Sequence, residues 1–313
     1  MDSIVVIGGG TGQFTILRGL KNYHLELSAI VTMMDDGGSS GVLRDEFGTL
    51  PPGDVRRCLV ALSDSSELMK ELFQYRFRRG KGLQGHSFGN LFLTVLKDIT
   101  GNDENAIKEA ERILNIRGHI IPVTHDDVRL CAELTNRKII TGERFIPLHA
   151  RKQKIKRVFL KPRARVSRDA VKALTFADLI IIGPGDLFTS LIANLLVDGV
   201  VEAIRKSEAK KVFVCNLVTK RGETDGYKLS DFVHTIEQYL GHNVLNYIIY
   251  NTEKPTTEIA KRYAKEKSYF VEPDLEKAGK FTKAKFIGAD VISETEIARH
   301  DSDKLAKLVV ELV

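Results

Sequence analysis

Short apolar runs rich in Val and Ile alternate along this chain with longer segments in which apolar residues recur every three or four positions. The runs predict β-strands, and the segments predict amphipathic helices. Strands are predicted at residues 4–7, 27–32, 119–124, 157–160, 179–182, 211–216 and 244–250. Helices are predicted at residues 14–20, 65–77, 88–100, 104–115, 190–206, 228–239 and 256–267.

This order of elements predicts an α/β fold with a doubly wound, mainly parallel sheet sandwiched by helices, as in Rossmann-like domains. Several predicted strands are apolar throughout, which is typical of parallel strands covered on both faces. We expect a single domain over residues 1–313. Its ligand is expected at the carboxyl ends of the strands, where the strand order reverses.

Residues 123–150 interrupt the alternation with short runs that predict antiparallel strands joined by turns, a β-rich flap inserted into the domain. Directly after it, residues 151–168 carry nine Lys and Arg side chains. Two interpretations stay open for this basic run. It is either a solvated edge strand whose cations discourage edge pairing, or a rim that attracts anions.

Composition narrows the function classes. No apolar stretch approaches the length of a membrane span, and the N-terminus lacks the basic and apolar regions of a secretory signal. Three widely spaced cysteines fit a reducing cytoplasm and no structural zinc. Lys and Arg exceed Asp and Glu by 47 − 41 = 6, which favours phosphorylated ligands but is too small an excess to indicate nucleic-acid binding.

The segment Gly8-Gly9-Gly10-Thr11-Gly12 follows the first predicted strand and precedes a predicted helix. Backbone N–H groups in such a loop can surround a phosphate, and the helix dipole adds to the attraction. The dinucleotide fingerprint is incomplete because its third glycine is replaced by Gln13, and no Walker A Lys follows. The loop therefore predicts either a phosphate site of unspecified type or only a tight turn.

Two acidic segments follow. Asp35 and Asp36 come directly after the second strand, where a carboxylate can hold ribose hydroxyls, anchor Mg²⁺ or only stabilise a turn. Asp54 is placed as a helix N-cap, and Arg56 and Arg57 then fall in the first helical turn. Cations there oppose the helix dipole, which suggests a nearby anion, and we assign Arg56 to the ligand.

Two further loops lead into helices. His86 lies in Gly85–Leu91 and is a candidate acid or base, a phosphate donor or a helix cap. Residues 183–190 form a second glycine-bearing loop after an apolar strand, with Gly185 and Ser190 as candidate anion ligands. Two anion-binding helix starts in one crevice suit a diphosphate.

Five motifs occur together and in order, namely Gly-Gly-Gly-Thr-Gly at 8–12, Asp-Asp-Gly-Gly-Ser-Ser-Gly at 35–41, Pro-Pro-Gly-Asp-Val-Arg-Arg-Cys-Leu-Val-Ala-Leu at 51–62, Gly-His-Ser-Phe-Gly-Asn-Leu at 85–91 and Gly-Pro-Gly-Asp-Leu-Phe-Thr-Ser at 183–190. Together they resemble the YvcK family of gluconeogenesis factors, within the superfamily that includes the 2-phospho-lactate transferase CofD. The similarity extends over essentially the whole chain.

The resemblance implies a cytoplasmic homodimer that binds a nucleotide-sugar, notably UDP-N-acetylglucosamine, and is needed for growth and cell shape on gluconeogenic carbon sources. Regulatory protein partners are also implied. The residues implied at the phosphates, along the crevice and further along the nucleotide are Gly9, Gly10, Thr11, Gly12, Asp36, Asn216, Thr219, Lys220, Tyr263 and Arg299.

The CofD relatives imply an alternative, a Mg²⁺-dependent transferase acting on a nucleoside-diphosphate-linked donor. Asp36 with Asp54 or Asp186 would hold the metal, and His86 would assist proton transfer. Asp186 stands where the family pattern has serine, which adds a negative charge that a metal would offset. NAD binding is a third, fold-based alternative.

Overall fold

The computed structural model describes residues 1–293 and 298–313, with the backbone alone at Lys152. In these residues the strands are β1 (Ser3–Gly8), β2 (Glu26–Val31), β3 (His119–Pro122), β4 (Arg129–Leu134), β5 (Ile139–Thr141), β6 (Ile155–Lys161), β7 (Leu179–Ile182), β8 (Lys210–Val214), β9 (Tyr247–Asn251) and β10 (Lys285–Ala289). The first seven α-helices are α1 (Gly10–Leu20), α2 (Gly38–Phe47), α3 (Pro52–Leu62), α4 (Glu67–Gln74), α5 (Phe88–Thr100), α6 (Asp103–Ile113) and α7 (Ile146–His149). The others are α8 (Arg168–Phe176), α9 (Ala193–Leu195), α10 (Val200–Lys206), α11 (Leu229–Leu240), α12 (Thr257–Lys265), α13 (Leu275–Ala278) and α14 (Ser302–Val310).

Seven strands form one parallel sheet in the order β10-β9-β8-β7-β1-β2-β3. The chain winds outward from β1 to β3 and then returns to β7 on the other side of β1, so the switch point lies between β1 and β7. Ile4 pairs with Leu27 on one side and with Leu179 on the other. The predicted doubly wound fold is confirmed.

The two helical layers follow from this winding, because right-handed crossovers in opposite directions place their helices on opposite faces of the sheet. On one face α1 contacts α3 and α14, and α3 contacts α6. On the other face α8 packs against α10. The central strands β1 and β7 are therefore enclosed on both sides, and Ile4, Ile7 and Ile181 are fully buried.

The inserted flap is a three-stranded antiparallel sheet in the order β5-β4-β6. Its third strand lies beyond the predicted range 123–150, and the predicted strand 157–160 belongs to this sheet rather than to the central one. Residue Arg44 of α2 joins the flap to the domain by donating to Asp127 through Nε over 2.9 Å. The Arg44 side chain is almost wholly buried in this pair.

Several elements differ from the sequence prediction. Strand β10 and helices α2, α7, α8, α13 and α14 were not predicted, and the predicted helix 190–206 is broken between α9 and α10. The break has a local cause. Gly199 has φ +102°, and the backbone of Asp198 bonds to Ala164 and Val166, which turns the chain out of the helix.

Among the described residues, no helix has both the length and the apolar character needed to cross a membrane.

Candidate ligand site at the switch point

The first glycine loop leads directly from β1 into α1, and the N-terminus of this helix opens on a cavity of about 360 Å³. Its N-cap residue, Gly9, has no side chain to accept the first amide protons, and no acidic residue lies in the first turn. Gly10 has φ +66°, a conformation that favours glycine. The Gly10 N–H bonds to the Asp54 carboxyl. The next N–H groups of the first turn have no carbonyl one turn back to accept them and can bind an anion.

The second glycine loop leaves β7 and lies directly against the first. A Cβ atom at Gly12 would be only 2.3 Å from the carbonyl oxygen of Pro184, so the two loops approach as closely as glycine permits. The following helical segment, Leu187–Ile192, begins with a wide turn in which the N–H groups of Ser190 and Leu191 both donate to the carbonyl of Asp186. Two helical N-termini thus meet at one cavity.

Two buried amides that sequence reasoning missed hold these loops in place. The Nε2 atom of Gln13 donates to the carbonyls of Val6 and Ile30, each over 2.9 Å, and so links β1 to β2. The Nδ2 atom of Asn194 donates to Gly8 over 2.9 Å and to Ser190 over 2.7 Å, and so links the two loops. Gln13 carried a signal in the sequence, since it occupies the position of a fingerprint glycine.

The wall opposite the glycine loops is formed by the segment after β8 and by residues near the C-terminus. Asn216, Tyr263 and Arg299 line the cavity, as the resemblance implied. The buried Oδ1 atom of Asn216 has no hydrogen-bond partner within the described part of the chain, so it is free to accept from a ligand. His300 also lines the cavity, and burial lowers its pKa to about 4, which keeps the imidazole neutral near pH 7.

A second, acidic cavity of about 170 Å³ adjoins the first. Its lining consists of Gly10, Thr32, Asp35, Asp54, Arg57, Glu143, Asp186, Thr189 and Ser190. Four of these residues also line the larger cavity, namely Gly10, Arg57, Asp186 and Ser190. The two spaces are therefore adjoining parts of one crevice, and the flap supplies Glu143 to it.

Two carboxyl groups in this acidic cavity, those of Asp54 and Glu143, have raised pKa values. Burial raises the pKa of Asp54 to about 6, and Asp35 adds to the shift, while Arg57 opposes it from 3.6 Å. Burial also raises the pKa of Glu143 to about 8, so that this side chain is protonated at neutral pH and can donate a hydrogen bond. A ligand that brings hydrogen-bond donors or positive charge would relieve this excess.

Lys220 stands beside the crevice but is already paired. Its Nζ atom lies 2.6 Å from Asp186 Oδ2 and 2.6 Å from Glu223 Oε1. Burial works against the ammonium charge, but the carboxylates of Glu223 and Asp186 outweigh it and raise the pKa of Lys220. The Thr189 hydroxyl donates to Glu223 over 3.0 Å and completes the network. Lys220 therefore orients Asp186 and the second loop.

Besides Lys220, four of the residues selected from the sequence line neither cavity. Asp36 accepts a hydrogen bond from the backbone N–H of Arg144 over 2.9 Å and so fastens the flap. Arg56 donates to Asn90, and His86 Nδ1 lies 3.0 Å from Ser39 Oγ. The Thr219 hydroxyl accepts from the backbone N–H of Tyr269. Their neighbours Asp35 and Arg57 face the crevice instead.

Asp54 is also placed differently from the expectation. The N-cap of α3 is Pro51, and Asp54 lies inside the first turn, where its carboxyl group faces the first glycine loop. A Cβ atom at Gly9 would lie 2.8 Å from Asp54 Oδ2. Asp54 therefore contributes to the crevice wall instead of capping the helix.

The predicted metal pair Asp36 and Asp186 does not share a cavity. In residues 1–293 and 298–313, no group of three or more His, Cys, Asp or Glu side chains is arranged to hold a metal ion. The oxygen donors of Asp35, Asp54 and Asp186 do match the chemistry of Mg²⁺. Such an ion would be held by one or two carboxylates together with ligand phosphates and water.

Comparison with known proteins places this chain in a family. Residues 4–292 match the family model described as 2-phospho-L-lactate transferase CofD. A putative gluconeogenesis factor from Nostoc is 47% identical over 98% of this chain and 68% of its own length. The gluconeogenesis factor of Bacillus subtilis is 41% identical over 99% of this chain and 98% of its own length.

Solved structures agree with these matches. The crystal structure of a UPF0052 family member from Bacillus halodurans superposes with a TM-score of 0.95 at 42% identity, covering 99% of this chain and 100% of that one. The chain therefore belongs to the CofD family and, within it, to the YvcK-type gluconeogenesis factors.

Proposed function

We propose that this protein binds a nucleotide-linked sugar of the UDP-N-acetylglucosamine type and acts as a binding and regulatory protein in growth and cell-shape control on gluconeogenic carbon sources. The observation that carries the proposal is the meeting of two helical N-termini at one cavity, with Gly12 packed against Pro184. The N–H groups in the first turn of a helix have no carbonyl one turn back, and two such turns suit the two phosphates of a nucleoside diphosphate.

The crevice has a suitable environment on each side of the expected diphosphate. Arg57 and Arg299 line the larger cavity and supply positive charge, and Asn216 offers an unpaired acceptor to a base or ribose. The acidic cavity beyond Gly10 offers carboxyl groups and the hydroxyls of Thr32, Thr189 and Ser190. Such groups bind a sugar through its hydroxyls.

A second candidate function, a Mg²⁺-dependent transferase of the CofD type, is favoured by the same acidic cavity. One or two of the carboxylates of Asp35, Asp54 and Asp186 would hold the ion there beside the phosphates, and the ion would stabilise the charge of a leaving diphosphate. His86 lines neither cavity and contacts Ser39 instead, which favours the binding protein over the transferase.

Calorimetry with UDP-N-acetylglucosamine, GDP and NAD tests the ligand class. We expect saturable binding of the UDP-sugar, and we expect unchanged ligand when the protein, the UDP-sugar and Mg²⁺ are incubated and followed by mass spectrometry. Firm GDP binding without UDP-sugar binding would favour the transferase. Product formation from the UDP-sugar would refute a purely regulatory role.

Substitution at Gly10 tests the position of the ligand. Gly10→Leu should abolish binding, because Gly10 lines both cavities and a larger side chain there would occupy the ligand's space. The nearest protein atom to an added Cβ is Arg57 Nη1, at 3.4 Å. Gly48→Leu is the matched control, since Gly48 has a similar φ of +60° but caps α2 in open space. Unchanged UDP-sugar affinity in Gly10→Leu would show that the loop does not hold the phosphates.

The cytoplasmic location and the homodimer stay predictions from the resemblance. Light scattering with and without the UDP-sugar tests the dimer, and it also shows whether the ligand changes the assembly, as a regulatory protein requires.

A further inference from the structure

A third cavity, of about 270 Å³, lies along the free edge of the central sheet and shares no lining residue with the ligand crevice. It is bounded by β3 and by one face each of α6 and α8. Helix α6 contributes Glu104, Ile107, Lys108 and Glu111, and α8 contributes Asp169, Lys172, Ala173 and Phe176. Both sets follow the spacing i, i+3, i+4, i+7, so each helix lines the cavity along two turns. We call this feature the edge groove.

The edge groove has an apolar floor and an open rim. Ile107, Ile120 and Ile121 form the floor and are at least nine-tenths buried. Phe176, at the rim, is 71% exposed and extends the apolar floor to the protein surface. The groove thus offers an apolar contact surface that the fold itself leaves uncovered.

An added β-strand is not the occupant, although β3 is an edge strand. The outward N–H of Ile120 already donates to Glu111 Oε1 over 2.6 Å. Pro122 has no N–H, and its carbonyl accepts from the Ser167 hydroxyl over 2.7 Å. Strand addition needs a row of free N–H and C=O groups, and these contacts remove it.

The charges of the edge groove oppose those of the whole chain. Lys108 pairs with Glu104, and His119, whose pKa is raised by its hydrogen bond to Glu111, lies 3.6 Å from that carboxylate. Among the described residues, Glu26 and Asp169 have no such ion pair and share the groove with the single cation Lys172, so the lining keeps an acidic excess. The chain as a whole carries +6. Charge complementarity therefore selects a basic partner at this site and disfavours it elsewhere on the surface.

The length of the groove fits a short helix. Its length, from Glu104 to Glu111, is about 10 Å at the helical rise per residue, which matches two turns of a bound helix.

We propose that the edge groove docks a basic amphipathic helix of a partner protein. Apolar side chains spaced by three or four residues enter the floor between Ile107 and Phe176, and flanking Lys or Arg side chains pair with Asp169 and Glu26. The interaction is independent of the nucleotide crevice, so it stands or falls separately from the ligand proposed above.

A labelled Leu/Lys peptide of about 14 residues, with its leucines on one helical face, is the probe for fluorescence anisotropy. We expect saturable binding that weakens with added salt. Phe176→Ser and Asp169→Lys should each weaken it by about fivefold or more. Leu68→Ser and Glu71→Lys are the matched controls, because both side chains are exposed on α4 outside the groove, and they should change the affinity by less than about twofold.

Thermal melts confirm that each variant is folded before binding is measured. A peptide with Glu in place of every Lys should not bind. The proposal is overturned by absence of binding at about 100 μM peptide, by equal binding of the Glu peptide, or by equal losses in groove and control variants.

Discussion

The buried Asp54 carboxylate lowers the free energy of unfolding at neutral pH, and replacing Asp54 with asparagine should restore that stability. The side chain is only 8% exposed and lies beside Asp35 in the acidic cavity. Burial raises its pKa from 3.8 to about 6. A difference of about two pKa units corresponds to about 3 kcal/mol at 1.36 kcal/mol per unit.

The sign of the pH dependence follows from the raised pKa in the folded state. Below about pH 4 Asp54 is protonated in both states, and it costs nothing. Between about pH 4 and pH 6 the unfolded chain ionises first, so the free energy of unfolding falls as the pH rises. Above pH 6 the cost is constant. Asp54→Asn should therefore be more stable than the parent protein by about 2–3 kcal/mol at pH 7.5, and by little at pH 4.

Urea unfolding of both proteins at several pH values between 4 and 7.5 measures this difference. Asp98→Asn is the control, since Asp98 is exposed on α5 and its replacement should produce no pH-dependent change. Loss of the ion pair with Arg57 reduces this gain in stability only slightly, because the Arg57 side chain is 42% exposed. A variant that is less stable than the parent at pH 7.5, by an amount independent of pH, would refute the reasoning.

Three further substitutions separate the loops from the scaffold. Gly12→Ala should lower the free energy of unfolding by about 1–3 kcal/mol, because the added Cβ would force the Pro184 loop away. The same displacement should weaken UDP-sugar binding, and calorimetry that shows full affinity would contradict this. Gly19→Ala meets the carbonyl of Ser302 at 2.0 Å on α14, so thermal melts should show lower stability while the folded protein keeps its affinity. Gln13→Leu removes the donor from two buried carbonyls and should cost about 1–3 kcal/mol in urea unfolding; an unchanged unfolding midpoint would show that the amide does not link β1 to β2.

Much of the architecture could be predicted from the sequence because the signals are local. The apolar runs of β1 and β7 and the glycines that follow them predict two strand ends with loops entering helices. Alternation of strands and helices then predicts a parallel sheet whose switch point brings such loops together. Helix α5 was predicted with the bounds Phe88–Thr100, since it has Ser87 as N-cap and Gly101 at its C-terminal end.

The site itself was only partly predictable. Asp36 and Arg56 were selected because carboxylates and arginines suit the ligand, but the structure directs Asp36 to the flap and Arg56 to Asn90. Their neighbours face the crevice instead. Adjacent residues project in different directions, and residue type does not reveal which of two neighbours points inward.

The sequence alone therefore determined most strands of the parallel sheet, the two glycine loops and the family resemblance, because each depends on residues close together along the chain. Only the tertiary structure decided that Glu143 reaches the acidic cavity from the flap and that Asn194 ties Gly8 to Ser190. These contacts join segments far apart in the chain. Their partners depend on how the layers pack, which no local pattern encodes.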